Sequence, residues 1–329
     1  MKKKIATMLS IVMAVLLMGS MTAFAGEADD TVYTVGICQL VQHPALDAAT
    51  QGFKDALVEA LGEDHVVFEE GNASGDSATC ATIVGGFVSS GEVDLIMANA
   101  TPALQAAASA TSTIPILGTS VTDYGTALNI EDFSGTVGGN ISGTSDLAPL
   151  DKQAEMIQEL FPDAKTVGIL YCSGEPNSIY QYNVIKEYLE GYGYTVESFT
   201  FADSNDVAIV TQSACDESDV IFIPTDNTAA SCTSAIDAVA RPTKTPIVSS
   251  EEGICAGCGI VTLTISYYDL GTVTGQMAAK VLTGEEDISE MAIQGAAEPT
   301  KEYNVEICAD LGIEVPEDYE PIPVEEEAE

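Results

Sequence analysis

Residues 94–103 read Asp-Leu-Ile-Met-Ala-Asn-Ala-Thr-Pro-Ala, an apolar strand-like run followed by a polar turn and a Thr-Pro helix start. Residues 219–228 repeat this pattern as Asp-Val-Ile-Phe-Ile-Pro-Thr-Asp-Asn-Thr. A short strand-like segment follows each stretch, at residues 114–116 and 245–247. The repeated order and spacing predict two similar α/β lobes.

Apolar strand runs alternate with helix-period segments on both sides of these two stretches. Strands separated by helices of this length are typical of βαβ units, in which helices cover both faces of a parallel sheet. We therefore predict an α/β fold with two doubly wound parallel-sheet lobes. The predicted strands are 32–41, 65–69, 93–98, 114–118, 166–171, 195–201, 220–224, 246–249 and 261–267, and the predicted helices are 44–61, one from Thr101, 178–192, 206–215, 228–240 and 269–282, with another at 78–88.

Residues 1–25 have the organisation of a secretory signal peptide. Lysines at positions 2–4 precede an apolar run over residues 5–17, and Ala23-Phe24-Ala25 matches a small-x-small cleavage site. The run is shorter than the ~20 residues that a membrane span needs, although a retained anchor is the alternative. The segment has no Cys for a lipid anchor. We expect cleavage after Ala25 and an extracytoplasmic location.

The composition is strongly acidic, with 51 Asp and Glu against 11 Lys and Arg and a formal charge of −40. Removal of residues 1–25 would leave eight basic residues and a charge of −43. A surface of this sign repels phosphate backbones and anionic lipids, so we expect no nucleic-acid partner and no membrane-surface role. The mean hydropathy of +0.18 argues against disorder.

Few residues are suited to catalysis. The only histidines are His43 and His65, and the chain has no nucleophile-elbow, Walker A or dinucleotide-binding glycine motif. Cys255-Ala-Gly-Cys258 could form a redox pair or half of a zinc site, but no second pair has suitable spacing. Neighbouring glycines favour a loop pair, free or disulfide-bonded. For most of the eight cysteines we expect buried free thiols. We predict no enzyme activity, no metal and no cofactor.

Polar clusters follow the predicted strands at the carboxyl ends, where parallel α/β sheets bind ligands. The clusters are Gln39, Thr101-Pro102, Thr119-Ser120, residues 173–178 and residues 225–228. Each could be only a helix N-cap, but five equivalent positions on two lobes favour a ligand site between the lobes. Hydroxyls and helix N-termini can hold a carboxylate without Lys or Arg. Asp226 could pair with an ammonium group, so the pattern indicates a zwitterion.

Longer motifs are distributed along nearly the whole mature chain. They are Val35-Gly-Ile-Cys-Gln39, His43-Pro-Ala-Leu-Asp47, Gly52-Phe-Lys-Asp-Ala-Leu57, Ala100-Thr-Pro-Ala103, Gly138-Gly-Asn140, Gly143-Thr-Ser-Asp146, Pro224-Thr-Asp-Asn-Thr228 and Tyr267-Tyr268. Together they resemble the ABC-transporter substrate-binding family that includes the tryptophan- and tyrosine-type binding proteins. The resemblance implies a type I periplasmic-binding-protein fold, in which two lobes on a multi-strand hinge close over one small ligand, often an aromatic amino acid.

The resemblance also implies an ABC permease as partner and a division of the chain into lobes. Lobe 1 would comprise residues 31–145 and 267–288, and lobe 2 residues 146–266 and 289–316, followed by an acidic tail at 317–329. The crossings would lie near residues 144–146, Ser266 and Ser289. The sequence departs from the family pattern at Tyr124, at residues 172–178 and at Ser266.

We therefore predict an exported, monomeric protein that binds an amino acid, aromatic by the resemblance, and delivers it to the permease. Asn177, Ser178 and Thr101 are assigned to the ligand carboxylate and Asp226 to its ammonium group. Tyr124 would stack on the ligand side chain. The predicted site comprises Gln39, Thr101, Pro102, Ser120, Tyr124, Ser173, Asn177, Ser178, Asp226 and Asn227. The alternatives are a nucleoside or peptide fragment in the same fold, or a redox protein using Cys255 and Cys258.

Overall fold

The first half of the chain alternates strands and helices as its apolar runs predict. The computed structural model describes residues 31–295 and 298–323, so the predicted signal peptide and its cleavage site lie outside the described residues. The first strands are β1 (Tyr33–Gln39), β2 (Val66–Asn72), β3 (Leu95–Asn99), β4 (Ile116–Val121) and β5 (Ile141–Ser145). The intervening helices are α1 (Pro44–Leu61), α2 (Ser77–Ser90), α3 (Thr101–Ala110) and α4 (Tyr124–Leu128), with a 3₁₀ turn at Glu63–His65.

The second half repeats the alternation. Its elements are α5 (Leu150–Leu160), β6 (Thr166–Cys172), α6 (Pro176–Gly191), β7 (Thr195–Phe201), α7 (Val207–Glu217), β8 (Val220–Ile223), α8 (Asn227–Ala230), α9 (Thr233–Thr243), β9 (Ile247–Ser249), α10 (Glu252–Cys258) and β10 (Val261–Thr264). The last elements are α11 (Tyr267–Leu282), β11 (Gln294–Gly295), β12 (Thr300–Tyr303), α12 (Val305–Leu311) and β13 (Glu320–Pro321).

Two sheets with matching strand orders organise these elements. The first runs β2-β1-β3-β4-β5-β11 and the second runs β7-β6-β8-β9-β10-β12-β13. All neighbours are parallel except β10 and β12. We call the first sheet with its helices lobe 1 and the second lobe 2. The shared order of the first five strands of each lobe is that of a doubly wound domain, which confirms the predicted α/β fold with two similar lobes.

Three segments of the chain cross between the lobes. The first follows β5, the second joins β10 to α11, and the third joins β11 to β12 and includes residues 296 and 297, which lie outside the described residues. The crossing predicted near Ser289 is wrong, because β11 still pairs with β5. Met291 and Ile288 are buried in the lobe 1 core, and the Met291 carbonyl accepts from Ser142 Oγ at 3.0 Å. This packing keeps residues 289–295 in lobe 1.

Helices α1 and α11 lie against each other with their backbones in close approach. A Cβ atom at Gly52 would overlap the backbone oxygen of Tyr268, and one at Gly271 would overlap that of Ala49. Only glycine permits this separation. Because α11 begins directly after the second crossing, this packing fixes the crossing to lobe 1.

Three local predictions differ from the structure. The segment predicted as one helix over 228–240 forms α8 and α9, and the break lies at Ser231 and Cys232. The predicted strand 261–267 ends at Thr264, because Ser266 Oγ accepts from Asp269 N at 3.1 Å and caps α11. The tail predicted from residue 317 is part of lobe 2 up to residue 323, since Tyr319 and Ile322 are buried. No helix within 31–295 or 298–323 is long and apolar enough to span a bilayer.

Candidate functional site

A cleft lies between the carboxyl ends of the strands of the two lobes. Residues of both lobes line a cavity of about 10 Å³ in it, which is about the space of one water molecule. Three of its lining residues are carboxylates, and none of the described lining residues is Lys or Arg. The lining consists of His43, Leu46, Asp146, Thr225, Asp226, Asn227, Ala230, Glu251, Ile254 and Tyr267.

Polar contacts between described residues join the lobes across this cleft. His43 Nε2, just before α1 in lobe 1, lies 3.3 Å from Asn227 Oδ1 at the start of α8 in lobe 2. Asn227 Nδ2 donates to Glu175 Oε2 at 2.7 Å, so the amide oxygen faces His43 and can only accept, and His43 donates from Nε2. Gln181 Nε2 lies 3.5 Å from Thr122 Oγ1, also across the cleft. The two lobes are therefore in contact.

Glu175 and Asp226 organise the lobe 2 wall through a hydrogen-bond network. Asp226 caps α8 through Ala229 N at 2.8 Å and accepts from Cys172 N and Ser178 Oγ, both at 2.7 Å. Burial and the Glu175 charge raise the pKa of Asp226 to about 8. Glu175 lies before α6, and its carboxylate accepts from the backbone and side chains of Asn227 and Thr228 and from Asn177. The acceptor distances lie between 2.7 and 3.0 Å.

Asp146 has a different environment at the first crossing. Its Oδ2 accepts from Tyr267 OH at 3.0 Å, whereas its buried Oδ1 has no partner among the described residues. Burial raises the pKa of Asp146 to about 6, and the charge of Glu251 adds to this effect. Glu251, in contrast, uses both oxygens to cap α10, with Gly253 N at 2.6 Å and Ile254 N at 2.8 Å.

Buried polar atoms without a hydrogen-bond partner are concentrated at the strand ends that meet in the cleft. Ten such atoms occur among the described residues, and six of them lie at or just after the carboxyl ends of β1, β3, β4, β5 and β6. These six are His43 Nδ1, Asn99 Oδ1, Thr101 Oγ1, Ser120 Oγ, Asp146 Oδ1 and Asn177 Oδ1. Since buried polar groups in native proteins are generally paired, this concentration indicates a site that a polar ligand completes.

Comparison with known proteins agrees with this geometry. The model of the family described as "ABC transporter substrate binding protein" matches residues 34–325. The chain belongs to this family. The substrate-binding protein is 37% identical over 253 residues to the Tyrosine-binding protein of Clostridioides difficile (strain R20291), a match that covers 76% of this chain and 73% of the relative.

Two solved structures are similar to the substrate-binding protein over most of its length. The ABC domain in complex with L-Trp from Streptococcus pneumonia is 34% identical and has a TM-score of 0.83, with 87% of this chain and 97% of that chain covered. The ligand-free, open structure of a substrate-binding protein with adhesive properties from Clostridium difficile is 36% identical and has a TM-score of 0.67, with 88% and 99% covered. The substrate-binding protein thus superposes better on the tryptophan complex than on the open protein.

The predicted lobe 1 residues are buried and differ in their hydrogen-bond partners. Thr101 and Ser120 are buried, and their hydroxyls have no partner among the described residues. Pro102 is buried in the first turn of α3, where the fixed φ of proline favours the start of a helix. Gln39 is fully engaged inside lobe 1, because its Nε2 donates to Asp47 Oδ1 at 2.6 Å and its Oε1 accepts from Thr50 Oγ1 at 2.7 Å. Gln39 therefore orders β1 and α1 in this structure.

Tyr124 and Ser173 have roles that differ from the predicted ones. Tyr124 is 1% exposed in the lobe 1 core, and its hydroxyl donates to the Thr144 carbonyl at 3.1 Å. The hydroxyl occupies the space left by the missing side chains of Gly118 and Gly143, so the ring is packed away from a stacking position. Ser173 is exposed and donates to the Phe201 carbonyl at 3.2 Å within lobe 2.

The predicted lobe 2 donors are also engaged within the protein. Asn177 Nδ2 donates to Glu175 Oε2 and to the Thr225 carbonyl, both at 3.0 Å, and Ser178 Oγ donates to Asp226. Neither side chain has a free donor for a ligand carboxylate in this arrangement. The assignment of Asp226 to an ammonium group is likewise unsupported, since both its oxygens already accept from lobe 2. Asn227 does lie on the cavity wall.

Sequence reasoning missed several residues of the cleft. His43 and Asp146 stand in the motifs that carry the family resemblance, and Glu175 lies in the polar cluster at residues 173–178, but none of the three is among the predicted site residues. A polar residue at the end of β5 was the available signal for Asp146. Thr225 belongs to the polar cluster at residues 225–228, although it is not among the predicted site residues. Leu46, Ala230 and Tyr267 lie in segments predicted as ordinary helix or strand, and no helix was predicted at α10, which carries Ile254 and is capped by Glu251.

All eight cysteines are free thiols in this structure, and six are buried. The prediction that Cys255 and Cys258 form a loop pair is wrong, because both lie on α10. Burial raises the pKa of both thiols. Reactive thiols instead need a lowered pKa and access to solvent. The geometry therefore does not favour the redox alternative.

Proposed function

We propose that this substrate-binding protein is exported and captures an aromatic L-amino acid, tyrosine, tryptophan or phenylalanine, between its lobes for delivery to an ABC permease. It acts as a carrier and has no catalytic role. The observation that carries the proposal is the concentration of unpaired buried polar atoms at the cleft. The names of the relatives support the ligand class.

The chemistry of the unpaired atoms matches an α-amino acid. Three of the six atoms are carbonyl or carboxylate oxygens that accept, namely those of Asn99, Asp146 and Asn177, and His43 Nδ1 accepts when the neutral ring carries its proton on Nε2. An ammonium group brings three donors. The other two are the hydroxyls of Thr101 and Ser120, which can donate to a carboxylate. Thr101 also opens α3, where backbone N–H groups and the helix dipole favour an anion.

The remaining wall suits an apolar side chain. Leu46 and Tyr267 contribute from lobe 1, and Ala230 and Ile254 contribute from lobe 2. A cavity of about 10 Å³ is far smaller than an amino acid, so the ligand enters when the lobes separate and the contact between His43 and Asn227 breaks. Ligand contacts to both lobes then stabilise the closed arrangement.

Isothermal titration calorimetry with L-tyrosine, L-tryptophan, L-phenylalanine and a panel of nucleosides tests the proposal. The chain contains no Trp, so the emission of added tryptophan reports its environment without background. We expect saturable 1:1 binding of at least one aromatic amino acid and a blue shift of bound tryptophan. The double variant Thr101→Val, Ser120→Ala should bind weakly, whereas the control Ser173→Ala, an exposed hydroxyl of lobe 2, should bind normally. Binding of nucleosides alone would overturn the proposal.

A further inference from the structure

We infer that Asp146, at the first crossing between the lobes, is the residue that receives the ammonium group of the ligand. This inference rests on the proposed function, and it replaces the sequence-based assignment of that role to Asp226. It also predicts what the site selects for, namely ligands with a free α-ammonium group.

Among the three carboxylates of the cavity wall, only Asp146 has an oxygen that accepts no hydrogen bond from the described residues. Asp226 accepts three hydrogen bonds from Cys172, Ser178 and Ala229. Glu251 uses one oxygen for Gly253 N and the other for Ile254 N. Asp146 accepts from Tyr267 through Oδ2, while its buried Oδ1 makes no hydrogen bond to the described residues, and the Thr122 hydroxyl lies near the carboxylate.

The burial of Asp146 gives this free oxygen a strong preference for a cationic partner. The residue is 3% exposed, and no Lys or Arg is among the described residues of the cavity wall. An ionised carboxylate in such surroundings is costly unless a cation pairs with it, which accounts for its raised pKa. An ammonium group would supply both the opposite charge and the missing donor.

The position of Asp146 also connects binding of the ligand ammonium group to closure of the two lobes. It follows β5 directly, on a segment that leads from lobe 1 to α5 of lobe 2. Its hydrogen bond to Tyr267 joins the first crossing to the second, because Tyr267 is the first residue of α11. A ligand ammonium on Oδ1 is therefore held where two of the crossings meet.

The experiment compares each amino acid with its analogue that lacks the amino group. L-tyrosine is paired with 3-(4-hydroxyphenyl)propionate and L-tryptophan with indole-3-propionate, by calorimetry on the wild-type protein, Asp146→Asn and Glu252→Gln. Glu252→Gln is the control, because it removes a half-buried charge that lies outside the cavity wall. We expect the wild type and the control to prefer the amino acid by at least about 100-fold, and Asp146→Asn to reduce this preference to less than about tenfold.

The outcomes separate the two proposals. A wild type that binds no aromatic amino acid refutes the proposed function. A wild type that binds the amino acid and its analogue equally well overturns the assignment of Asp146, and this measurement does not require the variant to fold. The assignment is also wrong if folded Asp146→Asn keeps the full preference, or if the control loses it to the same extent.

Discussion

The imidazole Nε2 of His43 in lobe 1 lies 3.3 Å from the amide Oδ1 of Asn227 in lobe 2, and both side chains are buried. Asn227 is itself held by Glu175, which accepts from its backbone N at 3.0 Å and its Nδ2 at 2.7 Å. His43 therefore contacts a side chain whose position lobe 2 has already fixed. The contact stabilises the arrangement in which the lobes meet.

Replacement of His43 by Ala should shift the ligand-free protein towards separated lobes. A neutral hydrogen bond contributes about 0.5–1.5 kcal/mol, so the open-to-closed ratio should rise by about two- to tenfold. Small-angle X-ray scattering would show a larger radius of gyration. Ser173→Ala, which loses a hydrogen bond within lobe 2 only, should leave the scattering unchanged. A His43→Ala profile identical to that of the wild type would contradict this prediction.

Asp226→Ala should destabilise lobe 2 in addition to any effect on the ligand. The substitution leaves Cys172 N, Ala229 N and the Ser178 hydroxyl without their acceptor. We expect the free energy of unfolding to fall by about 2–4 kcal/mol, measured by urea denaturation. The sequence alone assigned Asp226 to the ammonium group of the ligand. A variant with wild-type stability and no ligand binding would restore that earlier interpretation.

Tyr124→Phe should reduce stability slightly and leave ligand affinity unchanged. It removes one buried hydrogen bond, from the hydroxyl to the Thr144 carbonyl, for about 1 kcal/mol. Tyr124→Ala should cost about 3–5 kcal/mol, because it empties a core position. Urea denaturation measures the stability of each variant, and calorimetry measures its ligand affinity. A large loss of affinity in folded Tyr124→Phe would instead favour a ring in the cleft.

The stability of the ligand-free protein should depend on pH through Asp146. Its pKa is raised from 3.8 to about 6, so the folded state binds this proton more tightly than the unfolded state does. Its contribution to the free energy of unfolding therefore falls by about 3 kcal/mol as pH rises from about 4 through about 6. The groups facing it are the hydroxyls of Tyr267 and Thr122, which lower the pKa, and the charge of Glu251, which raises it.

The comparison with Asp146→Asn isolates this group from the other acids of the chain. Denaturation of both proteins at pH 4.5 and pH 7.5 should show the variant gaining stability relative to the wild type at the higher pH. A difference that stays constant between the two pH values would mean that Asp146 does not titrate in this range.

Local sequence signals predicted the fold well where they lie close together in the chain. Pro44 begins α1, and Gly62, with a φ of 96°, ends it. The two similar lobes were predicted from the repeated pattern at residues 94–103 and 219–228, which can be seen in the sequence without any knowledge of tertiary contacts. The third crossing could not be predicted in the same way, because β11 is two residues long and is defined by pairing with β5, about 150 residues earlier.

The site was predicted in its location but less well in the roles of its residues. Asp226 is a visible N-cap candidate, yet its engagement with Cys172 and Ser178 depends on strands and helices about 50 residues away. The packing of Tyr124 depends on two glycines, 118 and 143, from adjacent strands. Asp146 stands in a polar stretch that resembles a linker, and only the fold shows that it is buried.

The close approach of α1 and α11 has a mechanical consequence. Where two helices touch backbone to backbone at Gly52 and Gly271, neither can roll or slide without steric overlap. Lobe 1 should therefore rotate as one stiff body that carries His43 at one end of α1 and Tyr267 at the start of α11. Bending is then confined to a few backbone torsions in the crossings, which makes those short segments the pivot of the molecule.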